Sequence, residues 1–549
     1  MGEFFHEHGR MIAGAGTEGI LCSYRALGLL GQTMRPGRGS SGVGLAARFG
    51  RAAGAMVAYV EGVSIHWPIL RRLASHPLRR VMVDDRREYR AGEVIIAAMH
   101  LAAAIKAKSN TPTVGVLLPT GGGFAIAALA CWMLGKTLVP LNFLLKAEDL
   151  DYVISDCETD TVVTASAMLE YMGFTPKVAH VLRMEEVSFS GFPEAIMPAF
   201  ASSEDLAVIL YTSGTSGRPK GVMLSHGNLQ SNIEQVRTAI DMHADDVMVG
   251  VLPQFHSFGL TVLTLVPLTV GMKVVYTAKF VPGKLVKLIK EHRASVMIAI
   301  ASMWGAMLSA KDAGPDDFKS LRLAVSGGEP LPDAVADRVR ERFGLLINEG
   351  YGLTETSPAT NFCQPHQYKR YSVGPAIPGL IQRIVDLQTG MVLGPNEDGE
   401  IQMKGPNVTR GYYKLPSETD AAFTRDGFFR TGDIGRLDDD GFLFITGRLK
   451  EMLIIGGENV FPREIEEVLN AHLSIAASGV IGMPDALRGE LPIAFVELRE
   501  GASLDQVALM AWCRTGLPGY KVPREIRAVA QLPRNATGKI VRRELKNLI

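Results

Sequence analysis

From Val81 onward the chain alternates short runs of β-branched and aliphatic residues with longer stretches whose apolar positions recur at helical spacing. Val81-Met82-Val83 followed by Arg87-Glu88-Tyr89 predicts a hairpin. Ala91 to Lys106 predicts an amphipathic helix, and Val114 to Leu118 a buried strand that runs into Thr120-Gly121-Gly122-Gly123 and a further helix. The pattern recurs with a strand at Thr137 to Pro140, a helix at Ala147 to Ser155 and a strand at Thr161 to Thr164. Strands alternating with helices at this spacing predict an α/β architecture of parallel-rich sheets joined by crossover helices. The last hundred residues read differently. A helix at Ile465 to Leu469, strands at Gly479 to Gly482 and Ile493 to Leu498, and a helix at Leu504 to Cys513 predict a small α+β unit, separated near Gly447 to Lys450.

Two long stretches, Ser109 to Gly135 and Val247 to Met272, lack Asp, Glu, Lys and Arg and invite comparison with membrane spans. Each contains Pro and Gly in mid-run and divides into a strand, a glycine turn and a helix, so buried βα units are the expectation. Residues 1–79 differ again, with nine Arg against four Glu and a loop signal at Arg35 to Gly42. Within them Leu45 to Val60 has the pattern of a basic amphipathic helix, suited either to peripheral contact with a membrane or a partner, or to packing on the main body. Glu3, Glu7, Arg10 and Glu18 interrupt any secretory h-region, so a cytoplasmic protein is expected. The organisation read from the sequence is therefore a basic Gly/Ala-rich extension over 1–79, a large domain over 80–449 and a small mobile domain over 450–549.

Composition narrows the function. A chain of 549 residues with 47% hydrophobic and 21% charged side chains can bury several cores. Lys plus Arg and Asp plus Glu both total 57, so no net field favours a nucleic-acid partner. The five cysteines, Cys22, Cys131, Cys157, Cys363 and Cys513, form no CxxC pair and no Cys/His cluster, which predicts a reducing compartment without a disulfide frame or structural zinc.

The candidate chemistry begins after the apolar strand Ala207 to Leu210. Tyr211-Thr212-Ser213-Gly214-Thr215-Ser216-Gly217-Arg218-Pro219-Lys220-Gly221 places four Ser/Thr hydroxyls and two glycines before one lysine, in a loop whose N–H groups and ammonium can hold phosphate. It is not a Walker A loop, because Pro219 and Gly221 flank the lysine. Tyr351-Gly352-Leu353-Thr354-Glu355-Thr356 offers an aromatic face, a hydroxyl and a carboxylate for a base, a phosphate and Mg2+. Thr431-Gly432-Asp433 offers a carboxylate to ribose hydroxyls. Gly447-Arg448-Leu449-Lys450-Glu451 leads to Ile454-Ile455-Gly456-Gly457-Glu458-Asn459, and Pro533 to Lys539 presents a lysine on a polar turn.

These five segments, in this order, resemble the signature of the acyl-adenylate-forming (AMP-binding) superfamily, in its acyl-CoA synthetase and fatty-acyl ligase branch, over residues 80–549. The resemblance implies an adenylate-forming ligase fold and an ATP-dependent activation of a carboxylic acid to acyl-AMP, followed by transfer to a pantetheine thiol. It implies that Thr212, Ser213, Gly214, Thr215, Ser216, Gly217 and Lys220 grip phosphate, that Tyr351 stacks on adenine beside Gly328 and Glu329, and that Thr354 meets the α-phosphate. It further implies Glu355 as the Mg2+ ligand, Asp433 and Arg448 as ribose contacts, Lys450 as hinge, Gly456 and Gly457 along the thiol channel, and Lys539 bridging acid and α-phosphate. Carboxylate and triphosphate are both anionic, so such a site must cancel charge as the in-line transition state forms.

The acid is read from what is missing. Ser257 to Val266 contains no carboxylate to pair an α-ammonium, which argues against amino acids. His256 borders the acyl and thiol channels by the same resemblance. Phe258, Leu260, Met303 and Trp304 are candidates for the acyl pocket, and Gly352, where acetate-specific relatives carry Trp, predicts a deeper tunnel and hence a medium- or long-chain fatty acid. The expected acceptor is CoA, with a phosphopantetheinyl acyl carrier protein as the alternative acceptor and an aryl or other acid as the alternative substrate. An oxidative enzyme of the luciferase kind, and a non-catalytic membrane-associated acyl carrier or scaffold, are the readings from other classes; intact Lys220, Glu355, Asp433 and Lys539 argue against the last.

Overall fold

The computed structural model describes residues 64–213, 218–485, 487–534 and 540–549. Among them, an eight-stranded sheet runs in the order Ala359–Phe362, Ile347–Gly352, Leu323–Gly327, Val296–Ala299, Val247–Gly250, Lys273–Tyr276, Arg80–Val83, Glu88–Arg90. Its six inner strands are parallel, and an antiparallel strand closes each edge. A six-stranded sheet runs His180–Arg183, Thr161–Thr164, Thr113–Val116, Thr137–Pro140, Leu206–Ser213, Pro219–Ser225, parallel except for the last pair.

Period-two alternation decides how these sheets stack. Val114, Val116 and Leu138 of one sheet share a core with Met248, Val274 and Ile298 of the other, and with the helices Ala91–Lys108 and Gly122–Met133 between them. The alternate residues Val139, Leu141 and Val162 face outward onto the helix Ala147–Asp156, and Val249, Val275 and Met297 onto Pro282–His292 and Asp333–Phe343. The result is five layers, helix and sheet alternating. Gly122–Met133 lies between both sheets and is buried on nearly every side, which is why its sequence carries no polar face.

The two charge-free stretches form the βα units expected of them, Val247–Gly250 followed by Ser257–Val270 in the second case, and among the described residues no helix is long and apolar enough to cross a membrane. A boundary at residue 79 does not match the packing. Helix His66–Ser75 buries His66, Ile69, Leu70 and Leu73 on one face against the large domain, Ser64 Oγ donates to the Ala201 carbonyl at 3.0 Å, and the Ile65 N–H donates to His226 Nδ1 at 3.2 Å. Burial pushes both His66 and His226 down to about 4, so each imidazole is neutral at pH 7 and His226 can accept. The predicted helix over Leu45 to Val60 lies outside the described residues.

A four-stranded antiparallel sheet, Ile381–Val385, Gly399–Lys404, Phe429–Leu437, Leu443–Arg448, completes the large domain. The C-terminal unit is a second antiparallel-rich sheet with Pro462–Asn470 and Gln506–Gly516 on one face and Leu532, Ile540 and Leu545 on the other. The turn Leu449–Glu451 lies in the chain between the two sheets.

Candidate active site

The predicted phosphate loop is the tip of a hairpin. Strand Leu206–Ser213, whose Ala207, Val208 and Ile209 are fully buried, pairs with Pro219–Ser225 so that Thr212 lies opposite Lys220. Gly214, Thr215, Ser216 and Gly217, and the side chain of Ser213, lie outside the described residues.

The second segment ends strand Ile347–Gly352 and turns at Thr354–Thr356. Buried Thr356 pins that turn: its Oγ1 accepts the Leu353 N–H at 3.0 Å and donates to the Pro358 carbonyl at 2.6 Å. Thr354 Oγ1 then lies 3.3 Å from Ser257 Oγ, beside His256, whose ring packs 4.6 Å from that of Phe255. Glu355 is held from a segment that sequence reasoning passed over. The Thr409 N–H donates to the Glu355 carbonyl at 2.7 Å, and Tyr412 Oη donates to Glu355 Oε1 at 2.9 Å. The only local signal for this was an aromatic pair, Tyr412-Tyr413, after a glycine.

The third segment supplies the pair that antiparallel register dictates. Asp433 and Arg448 face one another across Phe429–Leu437 and Leu443–Arg448, and Arg448 Nε lies 2.8 Å from Asp433 Oδ1. Asp433 is 2% exposed, and its Oδ2 accepts from Tyr351 Oη at 2.5 Å. Burial and the Asp433 carboxylate hold the Tyr351 phenol well above its ordinary range, so Tyr351 is a fixed donor.

Burial also pushes Glu355 above the usual carboxylate range, with the Asp433 charge adding to the shift, while the Tyr412 hydrogen bond and Arg448 oppose it. A buried carboxylate whose charge is disfavoured is favoured by a cation, and a hard oxygen donor beside the Thr354 hydroxyl suits Mg2+. The residues present fit that ion.

Other predicted residues are placed differently. Glu329 accepts from the Ser302 N–H at 3.1 Å and the Ser302 hydroxyl at 3.3 Å, so its carboxylate anchors helix Ala301–Met307 as well as following Gly328. Trp304 is not a pocket residue: it is fully buried in the outer core with Phe343 and Val339, and its indole N–H donates to the Val325 carbonyl at 3.0 Å. Gly352 has a packing role as well. A Cβ there would lie 2.0 Å from the Pro358 carbonyl oxygen, so the glycine is required by close backbone approach. Phe258 and Met303 remain half-buried, and Phe258 lies against the backbone of Gly327 and Gly328. Lys450 is exposed on its turn, Gly456 and Gly457 both take positive φ in the hairpin Leu453–Val460, and Lys539 lies outside the described residues.

The AMP-binding enzyme family profile matches residues 69–413, and that of the AMP-binding enzyme C-terminal domain matches 464–539. The chain belongs to the AMP-binding enzyme family, and its fold is that of adenylate-forming ligases. Within that class it is an acid–thiol ligase of the AMP-forming kind. It is 31% identical to feruloyl-CoA synthase of Amycolatopsis sp over 87% of this chain and 98% of the relative. Identity to a long-chain-fatty-acid–CoA ligase of Bacillus subtilis is 32%, over 82% and 89% of the two chains. Among solved structures, ATP-bound MatB from Rhodopseudomonas palustris superposes with a TM-score of 0.80 at 31% identity, covering 88% of this chain and 99% of that one. The o-succinylbenzoate–CoA synthetase MenE of Bacillus subtilis, in complex with ATP and magnesium ion, gives 0.77 at 28% identity over 87% and 99%.

Proposed function

We propose that this protein activates an apolar carboxylic acid, a medium- or long-chain fatty acid in the first reading, with ATP and passes it to CoA. The observation that carries the reading is the pairing of Asp433 with Tyr351 and Arg448, and of Tyr412 with Glu355 and Lys220, side chains of the types that a nucleoside triphosphate needs. Asp433 presents a buried carboxylate for vicinal hydroxyls, the Tyr351 ring a face for the base, and Lys220 a cation for the phosphates. Mg2+ on Glu355 would supply further positive charge beside the phosphates.

The acid carboxylate attacks the α-phosphorus and pyrophosphate leaves; Lys539 neutralises the meeting of the two anions. In the second step the pantetheine thiol attacks the acyl carbon and AMP leaves. Rotation of the small domain about Lys450 would exchange Lys539 for the Gly456-Gly457 face between these steps. Phe258 and Ile300 border Gly328 with apolar atoms, and Ser257 to Val266 carries no carboxylate, which favours an acid without an ammonium group. An aryl acid is the second reading, because the similarity to a feruloyl-CoA synthase extends over most of the chain.

Acid-dependent pyrophosphate release, measured over a chain-length series together with ferulate, tests the reading, with CoA and phosphopantetheinyl acyl carrier protein compared as acceptors. Highest kcat/KM for octanoate or longer with CoA is expected. A preference for ferulate moves the protein to the second reading, and absence of release with every acid overturns both.

A further inference from the structure

Lys220 has two close neighbours that the proposed chemistry does not use. Its Nζ lies 5.5 Å above the ring centroid of Tyr412 and 3.7 Å from Glu418 Oε1. The lysine side chain is 19% exposed and that of Glu418 40% exposed, so the carboxylate is the more solvated partner of the pair.

Both neighbours sit on a segment that is fastened beside the lysine strand. The Tyr413 N–H donates to the Gly221 carbonyl at 2.7 Å, the Met223 N–H to the Gly411 carbonyl at 3.0 Å, and Thr409 Oγ1 to the Met223 carbonyl at 2.6 Å. The turn between Tyr412 and Glu418 is closed by Thr419, whose Oγ1 accepts the Tyr412 N–H at 2.9 Å and donates to the Leu415 carbonyl at 2.8 Å. Tyr412 is further tied by its phenol to Glu355. A platform below the ammonium and a carboxylate at its side are thus held by backbone and hydroxyl bonds that do not depend on a nucleotide.

We propose that Glu418 is the resting counter-ion of Lys220 and sets the discrimination between nucleoside triphosphate and nucleoside monophosphate. The inference rests on the reading of Lys220 as the grip for the terminal phosphates. A triphosphate must displace the Glu418 carboxylate to reach the ammonium. AMP carries no terminal phosphates and leaves the pair intact. Pyrophosphate competes for the same ammonium, so the carboxylate also favours its departure after the first step. Tyr412 keeps the ammonium in place during the exchange through its ring face.

The test is calorimetric binding of ATP, pyrophosphate and AMP to the full chain at fixed free Mg2+, for wild type, Glu418→Gln and Glu418→Ala. Both variants change an exposed side chain, and equal melting temperatures verify the fold. Removing a partly exposed competing charge is expected to tighten ATP and pyrophosphate about three- to tenfold at low ionic strength, with the gain shrinking in high salt and AMP affinity unchanged. An ATP affinity that stays the same or weakens in a folded variant, or an AMP affinity that moves in parallel, overturns the assignment of Glu418 alone. A wild-type chain that binds no ATP overturns the proposed function with it.

Discussion

Tyr351 and Asp433 are 82 residues apart in the chain and 2.5 Å apart in space, and their hydrogen bond joins the eight-stranded sheet to the four-stranded one at the proposed nucleotide site. Asp433 is shared between that phenol and Arg448, so the carboxylate that would bridge the ribose is oriented from both sides before ATP arrives.

Asp433→Ala is therefore expected to weaken ATP strongly. Loss of a buried, charge-assisted contact costs about 2 to 3 kcal/mol, or roughly 30- to 150-fold in the ATP dissociation constant. Tyr351→Phe keeps the stacking face and should lose much less. Titration calorimetry with ATP decides; an unchanged constant in Asp433→Ala removes this residue from the ribose site.

Lys539→Ala should abolish acid-dependent pyrophosphate release and leave thiolysis of supplied acyl-AMP nearly intact, because its charge is needed only where carboxylate meets α-phosphorus. Assay of the two half-reactions separately distinguishes this from a general loss. Equal loss in both would withdraw the role.

Pocket and core residues should part in their effects. Trp304→Phe removes an indole bonded to Val325 and leaves a void, costing about 1 to 3 kcal/mol of stability with the acid preference unaltered. Gly352→Ala should cost about 1 to 3 kcal/mol or more, since its Cβ meets the Pro358 backbone and not a flexible side chain. Phe258→Leu, by contrast, should shift the acid profile with little change in melting temperature. Denaturant unfolding alongside kcat/KM over the acid series checks all three, and a Trp304→Phe enzyme with a changed chain-length profile would return that residue to the pocket.

Stability should carry a pH signature from Glu349, on the strand that leads to Tyr351. Burial pushes its carboxyl up to about 7, with Glu467 and Asp333 adding to the effect and Arg463 opposing it. A group whose folded pKa is raised binds its proton more tightly in the native state, so its contribution is fully present below the unfolded value near 4.5 and is lost as pH rises through about 7. Glu349→Gln should remove that dependence and stabilise the protein at pH 8 by about 1 to 3 kcal/mol. Urea unfolding at pH 5, 6, 7 and 8 measures it; parallel profiles for variant and wild type would refute the shift.

What the sequence determined by itself was local or linear. Alternation and glycine turns are properties of neighbouring residues, and they yield the strands at Thr137–Pro140 and Thr161–Thr164, the helix at Ala147–Asp156 and the reading of two charge-free stretches as βα units. Short motifs kept in order likewise yield the family and mark Tyr351, Glu355 and Asp433 as candidates for the nucleotide site. Tertiary structure decided which groups meet. That Tyr412 holds Glu355, that Glu329 anchors the helix of Ser302, and that residues 64–79 pack on the large domain all depend on partners tens to hundreds of residues away, for which no local period exists. The packing of Gly352 and Trp304 was hidden for the same reason. A glycine required by a crossing carbonyl and a glycine that opens a tunnel look identical in sequence, and half a turn of helix rotation moves an indole from a pocket into a core. Side-chain chemistry is written in the residue, but the direction in which it points is set by packing.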